Sequence, residues 1–323
     1  MSTLNKFGQY VLLQVYNEAK DEIFSTDNLR VDFDVRHIPG WTRAKFDIYN
    51  LDAKTTKQVR NTGNYVKLSV GLHGSAPQVI AEDMYVSNAL DFVKVPNGIL
   101  SLFTYSKVRK ENLEKVINVQ VFDPSFKKVI SELVKAAEFT GVVEKRFFPD
   151  ELLNYIMPHG QSGHRGTLLS CLQKMGANGQ YKFNVYTEGT KIVLVYKPDV
   201  KNVESTGLYD EENIPITLHT DNMRANPKIG SGSLDLSLNL DPEMKPGVVV
   251  DISKLISSET KINSTSLEAA PKLLDEAVSG YTRYLALQVQ HKGSSWEDVW
   301  LSQVICYSPT KGTTMSTDKW WSQ

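Results

Sequence analysis

Alternation of apolar residues with a period of two, at both ends of the chain, is the feature that most constrains its fold. In the first third, RVDFDVRHI alternates at Val31, Phe33 and Val35, and NYVKLSVGL and GILSLFTY repeat the pattern. In the last third, SLDLSLNLD, YLALQVQHKG and VWLSQVICYS do the same. Successive side chains of a strand point to opposite faces, so each run predicts a half-buried strand. Turn signals such as Pro39-Gly40 separate the runs, and short strands at this spacing are typical of a barrel or sandwich.

The middle of the chain has a helical period instead. DPSFKKVISELVKAAEFTG gathers its apolar residues on one face, with Asp123 as the predicted cap, Pro124 at the first helical position and Gly141 as the stop. A second helix is predicted over 167–175, ending at Gly176. A hairpin follows between YKFNVYT and KIVLVYK, with its turn at Glu188-Gly189. These elements predict a small α+β insert.

The predicted organisation is therefore mostly β with an α+β insert. We place domains at 1–108, 109–200 and 201–308, followed by a C-terminal tail at 309–323. A polar stretch over 257–265 and a short helix over 272–278 interrupt the last β domain. The two β domains show no obvious sequence repeat, so any similarity between them would be architectural.

One strand of the first domain ends in a short helix rather than in a loop. FDIYNLDAKTTKQV alternates as far as Tyr49, and Asp52 can then cap one or two helical turns over 54–58. The segment carries neither a glycine loop nor a catalytic residue type. It therefore favours a structural role over a catalytic one.

Charge and cysteine content give no support for several classes of protein. Lys and Arg number 36 and Asp and Glu number 37, so the net charge of −1 gives no argument for nucleic acid or a membrane surface. Cys171 and Cys306 show neither metal-ligand spacing nor a disulfide framework, which favours a reducing compartment.

Met1 is not followed by a basic segment and a long apolar run, so we expect no signal peptide. No stretch approaches the roughly 20 apolar residues of a spanning helix, so we expect a soluble protein made in a cytoplasm.

The most enzyme-like stretch is HGQSGHRG, residues 159–166. Ser162 lies between His159 and His164, which leaves a hydrolase as one hypothesis. The serine does not fit G-x-S-x-G, the histidines are not four residues apart, and no carboxylate lies among them. The alternative, which we favour, is a glycine-rich loop that enters the helix at Thr167.

The remaining candidates for chemistry are isolated. The other four histidines are scattered over predicted strands and turns, where structural roles are more common than ligand roles: His37, His73, His219 and His291. GxGxxG, P-loop, CxxC and HExxH motifs do not occur, and basic and aromatic residues do not follow an RNA-binding order. We predict no catalytic residue, no cofactor, no metal and no sequence-specific binding of nucleic acid.

Trp320 and Trp321 are the one feature that calls for a partner. A pair of indoles in a polar tail is either a mobile end or an anchor on another protein surface, and these two are the predicted protein-interface residues. Together with Trp296 and Trp300 they could instead stack on sugars, which keeps a carbohydrate-binding β module as a further hypothesis.

Four stretches carry a resemblance to a known family. They are AKFDIYNLDAKTTKQVRNTGNYVKLSVGL; NVQVFDPSFKKVISELVKAAEFTG with the helix and hairpin after it; residues 229–252, with Asn239–Pro242 and Pro246-Gly247; and YLALQVQHKGSSWEDVWLSQVIC, with His291, Gly293 and Trp300. In this order they resemble the baseplate hub proteins of tailed bacteriophages and related contractile injection machines, over about residues 30–307. The chain departs from the family in its longer loop at 257–270 and in L-D-P in place of L-N-P. The first thirty residues and the tryptophan tail match nothing in it.

The resemblance implies a fold and a function. The fold would be two tail-tube-like antiparallel β-barrels flanking the α+β insert. The protein would be a homotrimer whose six similar domains adapt a six-fold tail tube to a three-fold central spike. It would form part of the channel for the tape-measure protein and DNA.

The implied partners are the tail tube, central spike, tape-measure and other baseplate proteins. The implied location is the baseplate of the virion tail after assembly in the host cytoplasm, without membrane insertion by this chain. A carbohydrate-binding, receptor-recognising tail protein and a peptidoglycan hydrolase remain as alternatives.

Overall fold

The computed structural model describes most of the chain. The described residues are 8–72, 76–94, 97–122, 124–155, 161–177, 181–197, 214–230, 233–257, 263–264 and 282–307. The predicted helix over 272–278 and most of the 257–270 loop lie outside them.

The first β region, residues 9–106, is built from strands with one short helix. Its elements are β1 (Gln9–Tyr16), β2 (Glu22–Thr26), β3 (Val31–Ile38), β4 (Trp41–Tyr49), α1 (Ala53–Val59), β5 (Tyr65–Leu72), β6 (Gln78–Lys94) and β7 (Asn97–Ser106). The alternation predicted for β3 is confirmed, because Val31, Phe33 and Val35 are buried while the residues between them are partly exposed. The capped helix is confirmed too, since Asp52 Oδ1 accepts from the backbone N–H groups of Lys54 and Thr55, both at 2.9 Å.

The insert, residues 107–196, mixes short helices with two small sheets. Its elements are α2 (Lys107–Glu114), β8 (Ile117–Phe122), α3 (Phe126–Ala136), β9 (Val143–Arg146), α4 (Asp150–Asn154), β10 (Gln161–Gly166), α5 (Leu168–Ala177), β11 (Phe183–Glu188) and β12 (Lys191–Tyr196). Strand β8 pairs with β10, and β12 lies between β11 and β9. The predicted hairpin with its turn after Glu188 is therefore confirmed.

The predictions of a glycine-rich loop and of both ends of helix α3 are wrong in detail. The glycine-rich segment expected as a loop is strand β10, because its backbone pairs antiparallel with β8 over six residues. Helix α3 begins one residue after Ser125, whose Oγ accepts from the N–H of Lys128 at 3.2 Å, so Ser125 is the cap; the predicted cap, Asp123, lies outside the described residues. The helix also ends at Ala136, before Gly141, where Glu138 adopts a left-handed φ of 53°.

The second β region, residues 216–307, returns to strands. Its elements are β13 (Ile216–Thr217), a 3-10 turn (Thr220–Asn222), β14 (Met223–Gly230), β15 (Ser233–Asn239), β16 (Val249–Asp251), α6 (Ser253–Ser257), β17 (Asn263–Ser264), β18 (Arg283–Ser294) and β19 (Trp300–Tyr307). The predicted β18–β19 hairpin is confirmed.

Both β regions belong to one sheet. Over the described residues the strand order is β17-β14-β15-β19-β18-β3-β4-β7-β6-β5-β1-β2, with β16 also paired to β18 and β13 to β16. The mostly β class with an α+β insert is confirmed. Within the described part of one chain the sheet stays open at both ends, so neither region closes into a separate barrel.

Each region has its own apolar core. The first β region buries a cluster around Phe46 and Leu68, the insert one around Phe126 and Leu172, and the second β region one around Leu236. A fourth cluster lies between the insert and the second β region. The domain boundaries at 108, 200 and 308 stay predictions.

Candidate assembly site at the junction of the two β regions

The two β regions meet where β3 pairs antiparallel with β18. We call this pairing the seam; it runs from Asp32 opposite Ser294 to His37 opposite Val289. It joins residues that lie more than half the chain apart in sequence. Its geometry is set by a ladder of backbone hydrogen bonds, by the side chains on its two faces and by the loop after β18, where the N–H of Ser295 donates to the Val31 carbonyl at 2.9 Å.

On the outward face, two carboxylates fasten the seam. Asp32 accepts from Ser294 Oγ at 2.6 Å, from Tyr49 OH at 2.9 Å and from the Arg30 guanidinium at 2.9 Å. Burial and the bond to Asp32 raise the pKa of Tyr49 to about 12, so this phenol keeps its proton at any ordinary pH. Further along, Asp34 accepts from Gln290 Nε2 at 2.8 Å across the seam.

On the core face, two histidines meet across the seam. The rings of His37 and His291 are buried and lie edge to face, with centroids 5.8 Å apart. Nε2 of His37 lies 3.2 Å from the carbonyl oxygen of Ile80, and Nε2 of His291 lies 3.1 Å from that of Met244. A carbonyl only accepts, so each Nε2 carries a hydrogen and donates it.

The Nδ1 atoms of the same rings face hydroxyl groups, of Thr42 at 3.2 Å and of Ser302 at 2.9 Å. Burial is the main cause that lowers the pKa of His37 to about 4 and that of His291 to about 3, with Lys245 acting in the same direction on both. Both rings are therefore neutral at pH 7. The prediction of structural histidines is confirmed for this pair.

A local two-fold pseudo-symmetry relates the two sides of the seam. Val35 lies opposite His291, and His37 lies opposite Val289, so one Val-x-His segment faces another running the other way. The order β3-β4-β7-β6 on one side matches β18-β19-β15-β14 on the other. The chain reaches the equivalent hairpins in the opposite order, since β3–β4 precedes β6–β7 in one region but β18–β19 follows β14–β15 in the other.

Gly293 admits two aromatic rings at the end of the seam. It lies opposite Phe33 on one side and Trp300 on the other, and those rings form an edge-to-face pair with centroids 5.8 Å apart. A Cβ atom at this position would lie 2.5 Å from Phe33 Cζ and 2.9 Å from Trp300 Cε3. His291, Gly293 and Trp300, which were singled out in the last sequence stretch, thus lie together at the seam.

The insert braces the first β region with hydrogen bonds. The turn between β3 and β4 docks on β11, where the N–H of Gly40 donates to the Val185 carbonyl at 2.6 Å. Thr187 is fully buried, its Oγ1 accepts from the N–H of Thr42 at 3.2 Å, and it shares a hydrogen bond with Ser106 Oγ at 2.7 Å. Gly40 has a φ of 92°, a conformation that favours glycine.

The insert holds the second β region with apolar contacts. Tyr186, Val193 and Val195 pack against Val249, Leu285 and Leu287 in one buried cluster. The Pro246-Gly247 turn adds a polar contact to this cluster, because Arg146 Nη1 donates to the Pro246 carbonyl at 2.9 Å. The insert therefore contacts both sides of the seam, and it does so with different chemistry on each side.

The residues singled out from the sequence have mixed outcomes. Trp320 and Trp321 lie outside the described residues, as do His73 and His159. Trp300 is 5 % exposed and lies in the core, so it cannot stack on a sugar, whereas Trp296 is 57 % exposed. Ser162 Oγ and His164 Nε2 are 2.7 Å apart on the same face of β10, and burial lowers the pKa of His164.

Metal and membrane features are not found in the described part of the chain. No group of three or more His, Cys, Asp or Glu side chains is arranged there to hold a metal ion. Among those same residues no helix is long and apolar enough to cross a membrane.

Comparison with known proteins gives matches in structure alone. No protein-family model matches the chain, and no curated protein does. A tail protein from Neisseria meningitidis MC58 superposes with a TM-score of 0.52 at 9% identity, over 94% of this chain and 97% of the other. The 43 kDa tail protein of prophage MuSo2 from Shewanella oneidensis gives 0.53 at 8% identity, over 93% and 98%. This chain has the fold of a phage tail protein.

A third match extends this fold to a larger assembly. A chain of the Francisella PdpA–VgrG complex in its half-lidded form superposes with a TM-score of 0.51 at 8% identity. The match covers 98% of this chain but 61% of the other, so the present tail-protein fold corresponds to part of that protein. At such identities the likeness concerns the fold and not the activity.

Proposed function

We propose that this chain is a structural tail component that acts as a trimeric baseplate hub. The observation that carries the proposal is that two four-strand units lie side by side in one sheet, in the order β6-β7-β4-β3 and then β18-β19-β15-β14. In this order the hairpins β3–β4 and β14–β15 take equivalent places, as do β6–β7 and β18–β19, and the chain forms them in the same sequence. Three copies of a chain present three equivalent surfaces, but two similar units in each copy present six related ones. Such a trimer can meet a six-fold tube on one side and a three-fold spike on the other.

The seam supports a rigid adaptor rather than a flexible one. Backbone pairing, the Asp32 cluster and the insert's contacts with both regions all fix the angle between the two units. A ring that transmits load between a tube and a spike needs that angle to be constant. The proposed partners are the tail tube, central spike, tape-measure and other baseplate proteins, the proposed location is the virion tail, and the proposed ring leaves a channel for DNA.

Light scattering tests the proposal directly. The mass of the purified chain is measured alone and with the candidate spike protein. A mass of three chains in either sample is the expected result. A chain that stays monomeric in both samples, and that binds neither tube nor spike protein, would contradict the hub.

A hydrolase is the second candidate because of one observation, the 2.7 Å contact between Ser162 and His164. A neutral imidazole in that position could accept the serine proton. We give Ser162 and His164 a structural role in the β8–β10 sheet. Ser162→Ala is therefore expected to leave assembly unchanged, and the unaltered chain is expected to show no hydrolysis for it to remove. Cleavage of peptidoglycan by the unaltered chain that is lost in Ser162→Ala would instead establish the enzyme.

A further inference from the structure

The second half of strand β6 has a free edge. Strand β5 pairs with β6 only as far as Tyr85, whereas β7 pairs with it as far as Lys94. Within the described structure no strand pairs with the other edge of residues 87–94, which we call the free half of β6. Its Leu90 and Phe92 are 42 % and 47 % exposed within one chain. Unpaired N–H and C=O groups along such an edge are a template for another strand.

The free half of β6 lacks the features that usually keep an edge from pairing. Residues 87–92 read SNALDF, with neither Lys nor Pro and with Asp91 as the one charge. Soluble proteins commonly place lysine or proline on an exposed edge, or cover the edge. We therefore expect the free half of β6 to be covered in the assembled protein.

The second β region shows how an equivalent edge is covered. Strand β18 takes the place of β6, and β19 pairs with one of its edges. On its other edge β16 pairs with the first half, as β5 does in β6, and β3 pairs with the second half at the seam. Because β14 takes the place of β3, the strand that β6 lacks is a β14. Six strands separate the two within one chain, so this β14 has to come from another copy.

Strand β14 has the direction and the free edge that this pairing needs. Neighbouring strands from β14 through the seam to β6 are all antiparallel, so β14 runs in the direction of β3, and β6 in that of β18. A second copy can thus pair its β14 with β6 just as β3 pairs with β18. Strand β17 pairs with the outer edge of β14 at Lys228 and Ile229, which leaves residues 223–227 for the contact.

The seam also gives the register. When the two units are aligned on the turns that follow β3 and β14, Leu90 takes the place of Lys292 and Ala225 that of Asp34. Lys292 lies opposite Asp34 in the seam. Leu90 should therefore lie opposite Ala225 of the second copy. Both residues are exposed within one chain, and the pairing would remove their apolar surface from water.

We propose that the free half of β6 pairs antiparallel with β14 of a second copy of this chain, with Leu90 opposite Ala225 of that copy. The inference rests on the proposed hub and deepens it, because it names the strands through which the copies join. The two edges are different surfaces, so the contact is head-to-tail and generates a ring rather than a two-fold dimer.

A disulfide between copies tests the register. The full chain carries Leu90→Cys together with Ala225→Cys, and it is oxidised mildly, alone and with the candidate spike protein. Side chains directly opposite in an antiparallel pair have Cβ atoms roughly 5 Å apart, close enough for a disulfide after small shifts. We expect products of two and three chains on non-reducing gels, and their loss on reduction. Cys171 and Cys306 are buried and should not compete.

Leu90→Cys together with Asn118→Cys is the matched control. Asn118 is exposed on β8 of the insert, outside both strands of the proposed contact, so we expect no products of two or three chains. Hydrogen exchange of the unaltered chain gives a second measurement that needs no substitution. Amides over 87–92 should exchange more slowly in the assembled protein than in the diluted monomer.

The outcomes separate this inference from the proposed hub. Three copies by light scattering, with neither the disulfide nor slower exchange at 87–92, would overturn the pairing and leave the hub standing. Slower exchange that appears only with the spike protein, without the disulfide, would overturn it too, because the spike would then cover the edge. The disulfide in an assembly of any other number of copies would support the pairing and contradict the trimer. A monomer in both samples would overturn both.

Discussion

The hairpins β3–β4 and β18–β19 occupy equivalent positions about the seam, yet the insert holds them by different interactions. The first is fixed by hydrogen bonds: Gly40 donates to Val185, Thr42 donates to Thr187, and the hydroxyls of Thr187 and Ser106 share one further bond. The second packs through Leu285 and its neighbours in a buried apolar cluster.

This difference suggests that one side of the insert sets its orientation and the other side its stability. Hydrogen bonds are directional but contribute about 1 kcal/mol each in net terms. Burying a leucine side chain contributes about 2 kcal/mol and tolerates small rotations. We therefore expect the polar side to set the angle of the insert and the apolar side to supply most of the free energy of docking. Four predictions test this comparison.

Gly293→Val should have the largest effect. The new side chain would meet Phe33 on one side and Trp300 on the other, both within 3 Å of its Cβ atom. We expect a loss of about 3 kcal/mol or more in the free energy of unfolding, measured by urea denaturation. Gly98→Ala is the control, since a Cβ there has no neighbour within 4 Å. Equal stability of the two variants would mean that the seam is not packed as described.

Leu285→Ala should come next. This leucine is fully buried between the second β region and the insert, and its truncation leaves a cavity in that cluster. The expected loss is about 3 kcal/mol by the same measurement. Leu90→Ala, at a leucine that is 42 % exposed, should cost less than about 0.5 kcal/mol. A small effect at Leu285 would show that the apolar cluster does not supply the docking energy.

The two histidines predict how stability depends on pH. Their pKa values are lowered in the folded chain, to about 4 for His37 and about 3 for His291. Just below pH 6.5 these two histidines therefore take up protons in the unfolded chain but not in the folded one. Stability is fully present above the unfolded pKa and is lost as pH falls. Each histidine should contribute a slope of about 1.4 kcal/mol per pH unit between roughly pH 6 and pH 4.

The variants His37→Gln and His291→Gln should each remove one such slope from the curve of unfolding free energy against pH. Comparison with the unaltered chain cancels the carboxylates, which titrate in the same range. If neither variant changes the slope, the rings take up protons in the folded state. If only one variant changes the slope, the pKa in the folded chain is lowered for that histidine and not for the other.

Thr187→Val should have the smallest effect. It removes a buried hydroxyl that bonds to the backbone of Thr42 and to Ser106, while keeping the shape of the side chain. The expected loss is about 1 kcal/mol, because these partners are left buried without a replacement. Hydrogen exchange at Gly40 should quicken more than exchange in β16 if the polar contacts set the angle on the first side alone. Equal changes on both sides would contradict the division of roles.

The local elements could be predicted because their signals are local. Alternation marks β3, and Asp52 marks the start of α1, as the structure confirms. Strand β6 was not predicted, since two register shifts against β5 and another against β7 break its alternation. Strand β10 was mistaken for a loop because its two glycines conceal a pairing that only β8 supplies.

The seam could not be predicted in the same way, because it depends on contacts between distant parts of the chain. His37 and His291 look isolated in the sequence, and one repeat alone indicates that they are equivalent. Each histidine ends a Val-x-His segment, Val35 to His37 and Val289 to His291, and each contacts a hydroxyl residue on the next strand. Only the register of β3 against β18 turns this weak repeat into a site.

The long sequence separation across the seam has a consequence for synthesis. Strand β3 leaves the ribosome early, but β18 follows only about 250 residues later, which at 5 to 20 residues per second is a delay of roughly 10 to 50 seconds. During that time the first β region can fold with one edge of β3 unpaired, and an unpaired edge is a template for wrong partners. Asp32, Asp34 and Arg36 place a charged side chain at every second position of that edge. These charges disfavour pairing with other chains until β18 has been synthesised.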